Sequence, residues 1–284
     1  MKRFLSIFIL SAVLFPAAQT AFAWGPKGHR IVAQLAYDNL TCRARKQVDA
    51  ILGKQGMIYL STWPDEIKSD TIYPTSFVWH FQDLNPGMTD SALVSALTTN
   101  YPKEGGEQFR AMDSLYVLLQ HDRKNHDALV FYIHLSGDRF CPMHLGHMDD
   151  LGGNRVKMRW FGQNTNLHTV WDSKLIEYKG FSYTEYAAYL HDIYDHRQKA
   201  VEAMTDAQML IYTYHITDQV YDYQTTWDGN AYHYAYHITD QVYDYQTTWD
   251  GNAYHYAYRW MEPMEWQLYM AGIRLAKRLN AIYR

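Results

Sequence analysis

Cysteine is almost missing from this 284-residue chain, which holds only Cys42 and Cys141. Two thiols cannot staple a small disulfide-dense scaffold. They can pair with each other in an oxidising compartment, or stay as buried apolar residues. An excess of basic charge is missing too: 26 Lys and Arg against 30 Asp and Glu give a formal net charge of −4. Taken alone, that argues against a nucleic-acid binder held by a Lys/Arg stripe. Beyond residue 23 no stretch is long and apolar enough to cross a bilayer, so the mature protein is expected to be soluble, with no stable membrane insertion.

The first residues, MKRFLSIFILSAVLFPAAQTAFA, carry what the rest lacks. Lys2 and Arg3 form a basic start, residues 4 to 15 are almost wholly apolar, and Ala21-Phe22-Ala23 is an A-x-A cleavage pattern. Residues 1–23 are therefore expected to be a secretory signal peptide, and the protein to be exported, periplasmic or secreted. A retained membrane anchor is the weaker reading, because polar and small residues follow at once. Cleavage after Ala23 leaves residues 24–284, a length that suits one domain, and takes the formal charge from −4 to −6.

Periodicity predicts a mostly helical chain. Segments 29–40, 41–52, 89–100, 107–120, 127–135, 167–177, 183–194 and 265–283 show helical apolar spacing, with Thr41 and Thr89 as caps and Gly53 as a stop. Only 77–84 and 155–161 look like strands, with Gly152-Gly153 as the turn before the second. The expected fold is all-α, one compact, mostly helical domain with a small β-hairpin. Residues 214–235 recur unchanged at 236–257. Two copies do not make a solenoid. Perfect identity points to a recent in-frame duplication or an error in the recorded sequence, and the extra copy reads as an insertion. Its histidines, His215, His233, His237 and His255, read as surface or packing residues.

Six short stretches supply groups suited to a metal: Trp24 with His29 in WGPKGH, Asp65 in WPDE, His80 in WHF, His134 with Asp138 in HLSGD, His144 in CPMH, and His168 with Asp172 in HTVWD. The set is five imidazoles, three carboxylates and one amino terminus, freed if the leader is cleaved. All donors are nitrogen or oxygen, which fits zinc better than a soft metal or an iron–sulfur cluster. The number exceeds what one tetrahedral ion needs, so a polynuclear centre is expected, and with it metal-assisted hydrolysis. His134 and Asp138 stand at i, i+4, as do His168 and Asp172, so each pair shares a helix face. One such pair is most often a surface ion pair; two pairs together with Asp65, His80 and His144 are harder to dismiss. Trp24 can chelate through its α-amine and carbonyl once freed, or merely pack. Cys141, three residues before His144, is read as packing rather than as a C-x-x-H ligand. His121, His126 and His147 fall outside the pattern.

These motifs resemble the zinc-dependent single-strand-specific nucleases of fungi, plants and bacteria, which release 5′-nucleotides and are cousins of bacterial zinc-dependent phospholipase C. The resemblance covers essentially the whole of 24–284. It implies three zinc ions: one on Asp65, His80, His134 and Asp138, a second on His144, His168 and Asp172, and a third on Trp24, His29 and a shared Asp138. Three divalent ions outweigh three aspartates, so phosphate can bind inside an acidic protein. Phe81 and Asp83 in WHFQD match a nucleobase pocket, Lys68 a phosphate-neutralising residue, and Asn154 in GGN a residue near the scissile phosphate. Asp65, Lys68 and Asn154 thus form the implied catalytic set. Many relatives carry Arg where Lys68 stands, and Lys lacks the bidentate fork. DRFCPMH also departs from the usual form with His-Gln before the proline, though not at an implied ligand. For Phe81, Asp83 and Lys68, ordinary core or surface roles stay open on sequence alone.

The implied activity is endonucleolytic hydrolysis of single-stranded DNA and RNA to 5′-phosphates, with 3′-nucleotidase action as an added possibility and a monomer assumed. Two rivals remain. A zinc phospholipase C shares the metal logic, but carries Glu where Asp172 stands. A non-catalytic exported zinc-binding protein would not need Lys68 and Asn154 beside the ligands.

Overall fold

The structure, a computed structural model, describes residues 24–68, 70–227 and 251–284. The expected signal peptide and the junction of the duplicated segments lie outside them. Helices dominate, and the expected caps are formed. Thr41, Thr89 and Asn125 each accept a hydrogen bond from the backbone nitrogen three residues on, and Ser182 with Glu185 closes a full capping box. Such caps are typically worth about 1 kcal/mol each. They start the helices Cys42–Leu52, Asp90–Thr98, His126–Asp138 and Tyr183–Tyr194.

The Pro26–Asp38 helix is the hub. It packs on Gly251–Ile282, on Tyr183–Tyr194 and on His126–Asp138. Ile31, Val32, Leu35 and Ala36 are shielded from solvent, and burying each of the larger side chains contributes about 1.5–3 kcal/mol. Gly272 permits the closest approach, because a Cβ there would stand 2.4 Å from the Cβ of Leu35. This packing holds His29, on the hub helix, against His134 and Asp138, on its neighbour.

Two expectations change. The segment 77–84 is not a strand: Ser76–Trp79 is a 3-10 turn, and only Gln82 and Leu84 make isolated bridges, to Gly106 and His147. Its apolar alternation serves aromatic packing instead, with Trp79 edge-on to Phe131 and Phe77 edge-on to Phe81. The backbone beyond it threads between two loops, Gln82 and Leu84 donating to the carbonyls of His144 and Gly146, and Asp83 to that of Gly105. The predicted 167–177 helix is also interrupted: Leu167–Thr169 passes into a π turn, Val170–Lys174, before Leu175–Tyr178. The hairpin does form, with Lys157–Trp160 as β1 and Gln163–Asn166 as β2, paired antiparallel from Lys157 opposite Asn166 to Trp160 opposite Gln163.

Cys42 is exposed and Cys141 buried, and both are free thiols, so the disulfide alternative is excluded. The first repeat copy enters the Asp206–Trp227 helix, and the end of the second opens Gly251–Ile282. His215 and His255 are exposed, as expected; His233 and His237 lie outside the described residues. Among the described residues no helix is long and apolar enough to cross a membrane.

Candidate metal centre

The His126–Asp138 helix is buried from Ala128 onward, so the His134/Asp138 pair is not a surface ion pair. His134 Nδ1 donates to the carbonyl of Ser61 at 2.7 Å, which leaves Nε2 facing Asp138 Oδ2 at 3.2 Å. Nδ1 of His144 likewise faces the carbonyl of His80, and Nδ1 of His168 that of Gly152, each at 2.7 Å. A backbone carbonyl behind the ring fixes the tautomer and presents the other nitrogen as a lone pair, the usual outer support of a metal-ligating histidine.

Asp138 is the meeting point. Its Oδ2 lies 3.1 Å from His80 Nδ1, and its Oδ1 lies 3.3 Å from His29 Nε2 and 3.8 Å from His144 Nδ1. Asp65 stands 3.7 Å from both His80 and His134 and 3.9 Å from His29. The His29 ring stacks on His134 with centroids 3.8 Å apart. Two metal-capable groups result, His29/His134/Asp138 and Asp65/His80/His134. His29 Nε2, Asp65 Oδ2, His80 Nε2 and Asp138 Oδ1 are buried without a hydrogen-bond partner. Each such group costs about 1–3 kcal/mol if left alone, so the cluster fits a set of divalent ions.

A third group joins Cys141, His144 and Asp172. Asp172 Oδ1 lies 3.7 Å from His144 Nε2, and its Oδ2 lies 3.1 Å from His168 Nε2. The thiol of Cys141 donates to the same Oδ1 at 3.2 Å. Read from sequence as packing alone, Cys141 thus also touches a candidate ligand; its place three residues before His144 was the only signal. Asp172 sits in the π turn, and its carbonyl accepts from Gly25 N at 2.8 Å. The Trp24 indole donates to the carbonyl of Gly137, beside Asp138. The Trp24 backbone is therefore pinned between the elements that carry Asp138 and Asp172.

Electrostatics agree with tight clustering. Burial pushes His29, His80 and His144 below the ordinary imidazole value. Burial also works against His134 and His168, but the carboxylates of Asp138 and Asp65, and of Asp172, hold them up at about 9. For Asp138, desolvation would raise the carboxyl, yet His134 and His29 keep it well below the usual range.

The residues expected to meet substrate flank this centre. Lys68 Nζ lies 3.2 Å from Asp65 Oδ1 and is largely buried, so it is not a loose surface lysine. Phe81 is half-buried, and Asp83 is 6% exposed, not a solvated end. Burial pushes the Asp83 carboxyl up to about 8, with Asp150 adding and His168 opposing. Gly152 sits at φ +62°, and a Cβ there would lie 2.5 Å from the carbonyl of Met143 and 3.0 Å from Asp83 Oδ1. Only glycine adopts that backbone freely, and it lets Asp83 close on the His168 loop. Asn154 follows, its amide donating to the carbonyl of Leu151.

Comparison with known proteins fits this geometry. A family model described as S1/P1 Nuclease matches residues 24–284. Endonuclease 2 of Arabidopsis thaliana is 28% identical over 77% of this chain and 74% of its own length. Endonuclease 3 of the same plant is 30% identical over 58% of each chain. Nuclease S1 of Aspergillus oryzae is 28% identical over 59% of this chain and 60% of its own. The alignments to the last two span about three-fifths of those proteins. The matched region runs from Trp24 through every clustered His and Asp to the last helix, and on that ground the chain belongs to the S1/P1 nuclease family.

Proposed function

We propose that this protein is an exported, zinc-dependent endonuclease that hydrolyses single-stranded DNA and RNA to 5′-phosphate products. The observation that carries the reading is the buried convergence of His29, Asp65, His80, His134 and Asp138, with orphaned donor atoms aimed at one another. Trp24, His29 and Asp138 would hold one ion, Asp65, His80, His134 and Asp138 another, and His144, His168 and Asp172 a third. Zinc held there would supply a water whose pKa is lowered to about 7, and positive charge beside the phosphate.

The protein's own groups do the rest. Asp138, with Oδ2 facing His80, Oδ1 facing His29 and no solvent exposure, fixes the spacing of the centre. Lys68, held by Asp65, places a cation where a non-bridging phosphate oxygen would come. The face of Phe81 suits base stacking, worth about 1–3 kcal/mol and tolerant of sequence. Asp83 stands behind it to meet the base edge. A base within a stacked duplex cannot reach Phe81 without unpairing, so single strands are favoured. Asn154, its amide anchored by one N–H on the carbonyl of Leu151, would offer the other N–H to the scissile phosphate.

Zinc-loaded mature protein should be assayed on single-stranded DNA, duplex DNA and phosphatidylcholine, with metal content measured on the same sample. Rapid, chelator-sensitive loss of the single strand supports the reading. Faster turnover of phosphatidylcholine would replace it with a phospholipase, and zinc bound without hydrolysis would replace it with a storage role.

A further inference from the structure

The signature that marks the main centre, buried donor atoms left without partners at ligand-like spacing, recurs around His147. His147 Nε2 and Asp150 Oδ2 are both buried and unpartnered. Asp150 is 1% exposed, and its other oxygen is fully used: Oδ1 accepts from Gly153 N at 2.7 Å and from the Tyr221 hydroxyl at 3.0 Å. One oxygen anchored by two donors, with the other left bare, is how an outer hydrogen-bond shell orients a monodentate carboxylate. The His147 ring is held in turn by stacking on Tyr221, with centroids 3.8 Å apart and planes 11° apart. Asp218 Oδ1 lies 4.0 Å from His147 Nε2. That is too long for a hydrogen bond, but close to the 3.7–3.9 Å gaps between Asp65 and its histidines. His147 and Asp150, with Asp149 at the exposed edge, bring donor atoms within 4.8 Å of one another.

We propose that His147 Nε2, Asp150 Oδ2 and Asp218 Oδ1 form a further divalent-cation site, distinct from the centre around Asp138 and built to brace the loop that carries Asn154 against the segment that carries Asp83. One imidazole and two carboxylates suit zinc or a neighbouring first-row ion rather than a thiolate-bound metal. The site has a structural rather than a hydrolytic place. It ties the loop bearing Gly152, Gly153 and Asn154 to the Asp206–Trp227 helix. The Leu84–His147 bridge connects it to the segment that carries Asp83. Every residue invoked lies in the described part of the chain, Asp218 and Tyr221 in the first repeat copy. Whether the main centre cleaves nucleic acid is a separate matter from whether this site binds.

The test is anomalous diffraction above the zinc edge on crystals of the zinc-saturated mature protein, with total zinc measured in solution. A peak about 2.0–2.2 Å from His147 Nε2 and Asp150 Oδ2 is expected. His147→Phe, which keeps a ring to stack on Tyr221, should remove that peak and one zinc per chain, leaving the peaks among His29, Asp65, His134 and His144 intact. Asp218→Asn, on a different element, should weaken the same ion at least tenfold and guards against a folding defect in the first variant. No peak at His147, with equal zinc content in wild type and both variants, overturns the proposal. Absence of peaks at the main centre of the wild type would instead count against the polynuclear reading.

Discussion

Asp138→Asn tests the central carboxylate with almost no change of shape. Oδ2 faces His80 and His134 while Oδ1 faces His29 and His144, so either orientation of the new amide turns an NH₂ group toward ring nitrogens and removes the negative charge that would hold a metal among them. The site is fully buried, and water cannot fill in. Breaking a buried charge pair by removing one member typically costs about 3–5 kcal/mol, or roughly two to nearly four orders of magnitude in an equilibrium constant. Since Asp138 reaches both the His29/His134 group and His144, that loss should fall on more than one ion. Zinc affinity would be measured by competition with a chromogenic chelator, and hydrolysis of single-stranded DNA beside it. Asp127→Asn on the same helix, where the partners are Tyr73 and His126 near the surface, should leave zinc affinity unchanged. An Asp138→Asn protein that keeps wild-type stoichiometry and loses less than tenfold in affinity would refute the bridging role.

Proton release follows from the imidazole shifts. At pH 7.5 the metal-free protein should carry protons on His134 and His168, held up at about 9, but not on His29, His80 or His144, which burial lowers. Zinc takes only neutral imidazole, so loading should expel about two protons from His134 and His168, read by calorimetry in buffers of different ionisation enthalpy; no buffer dependence would contradict it. Both raised values also stabilise the metal-free fold fully below the unfolded value of 6.5, and that contribution is lost as pH rises through about 9. Chelated protein should therefore lose thermal stability over that range. Phe81→Ala should raise KM for oligonucleotides about five- to 150-fold, the equivalent of one lost stacking contact of about 1–3 kcal/mol, with zinc content unchanged; unaltered KM would remove Phe81 from the substrate path. Deleting residues 228–249 leaves one intact copy of the repeat, and the variant should keep its zinc content and melt within a few degrees of the parent. Loss of the fold would show that the second copy is structural.

The parts legible in the sequence were those with a local signal. Thr41 and Thr89 sit where caps belong, and Tyr183–Tyr194 has the bounds that its periodicity predicted. The ligand pairs at i, i+4 could be read because helical geometry alone brings them to one face. What stayed hidden depends on partners far along the chain. The aromatic alternation around Trp79 looked like a strand until Phe131, on another helix, proved to be what the ring packs against. The second strand of the hairpin, Gln163–Asn166, is wholly polar and has no alternation to detect. The π turn at Asp172 leaves no mark in composition, and the Cys141 thiol gained its polar contact only through tertiary closure. His147 and Asp150 became a pair when Tyr221, from the Asp206–Trp227 helix, was laid across both.

The hub position of the Pro26–Asp38 helix sets an order of events for maturation. His29 is held in place by a helix whose main support, Gly251–Ile282, lies at the far end of the described chain. Contacts of such long sequence separation form late, since loop closure must precede their reward. A nascent chain can display Asp65, His80 and the His134 helix long before His29 is buttressed, but not the finished centre. Completion of the group that includes His29 would thus report that Gly251–Ile282 has packed in place. On the proposed function, the chain would not act on single-stranded RNA around it until Gly251–Ile282 has packed against Pro26–Asp38.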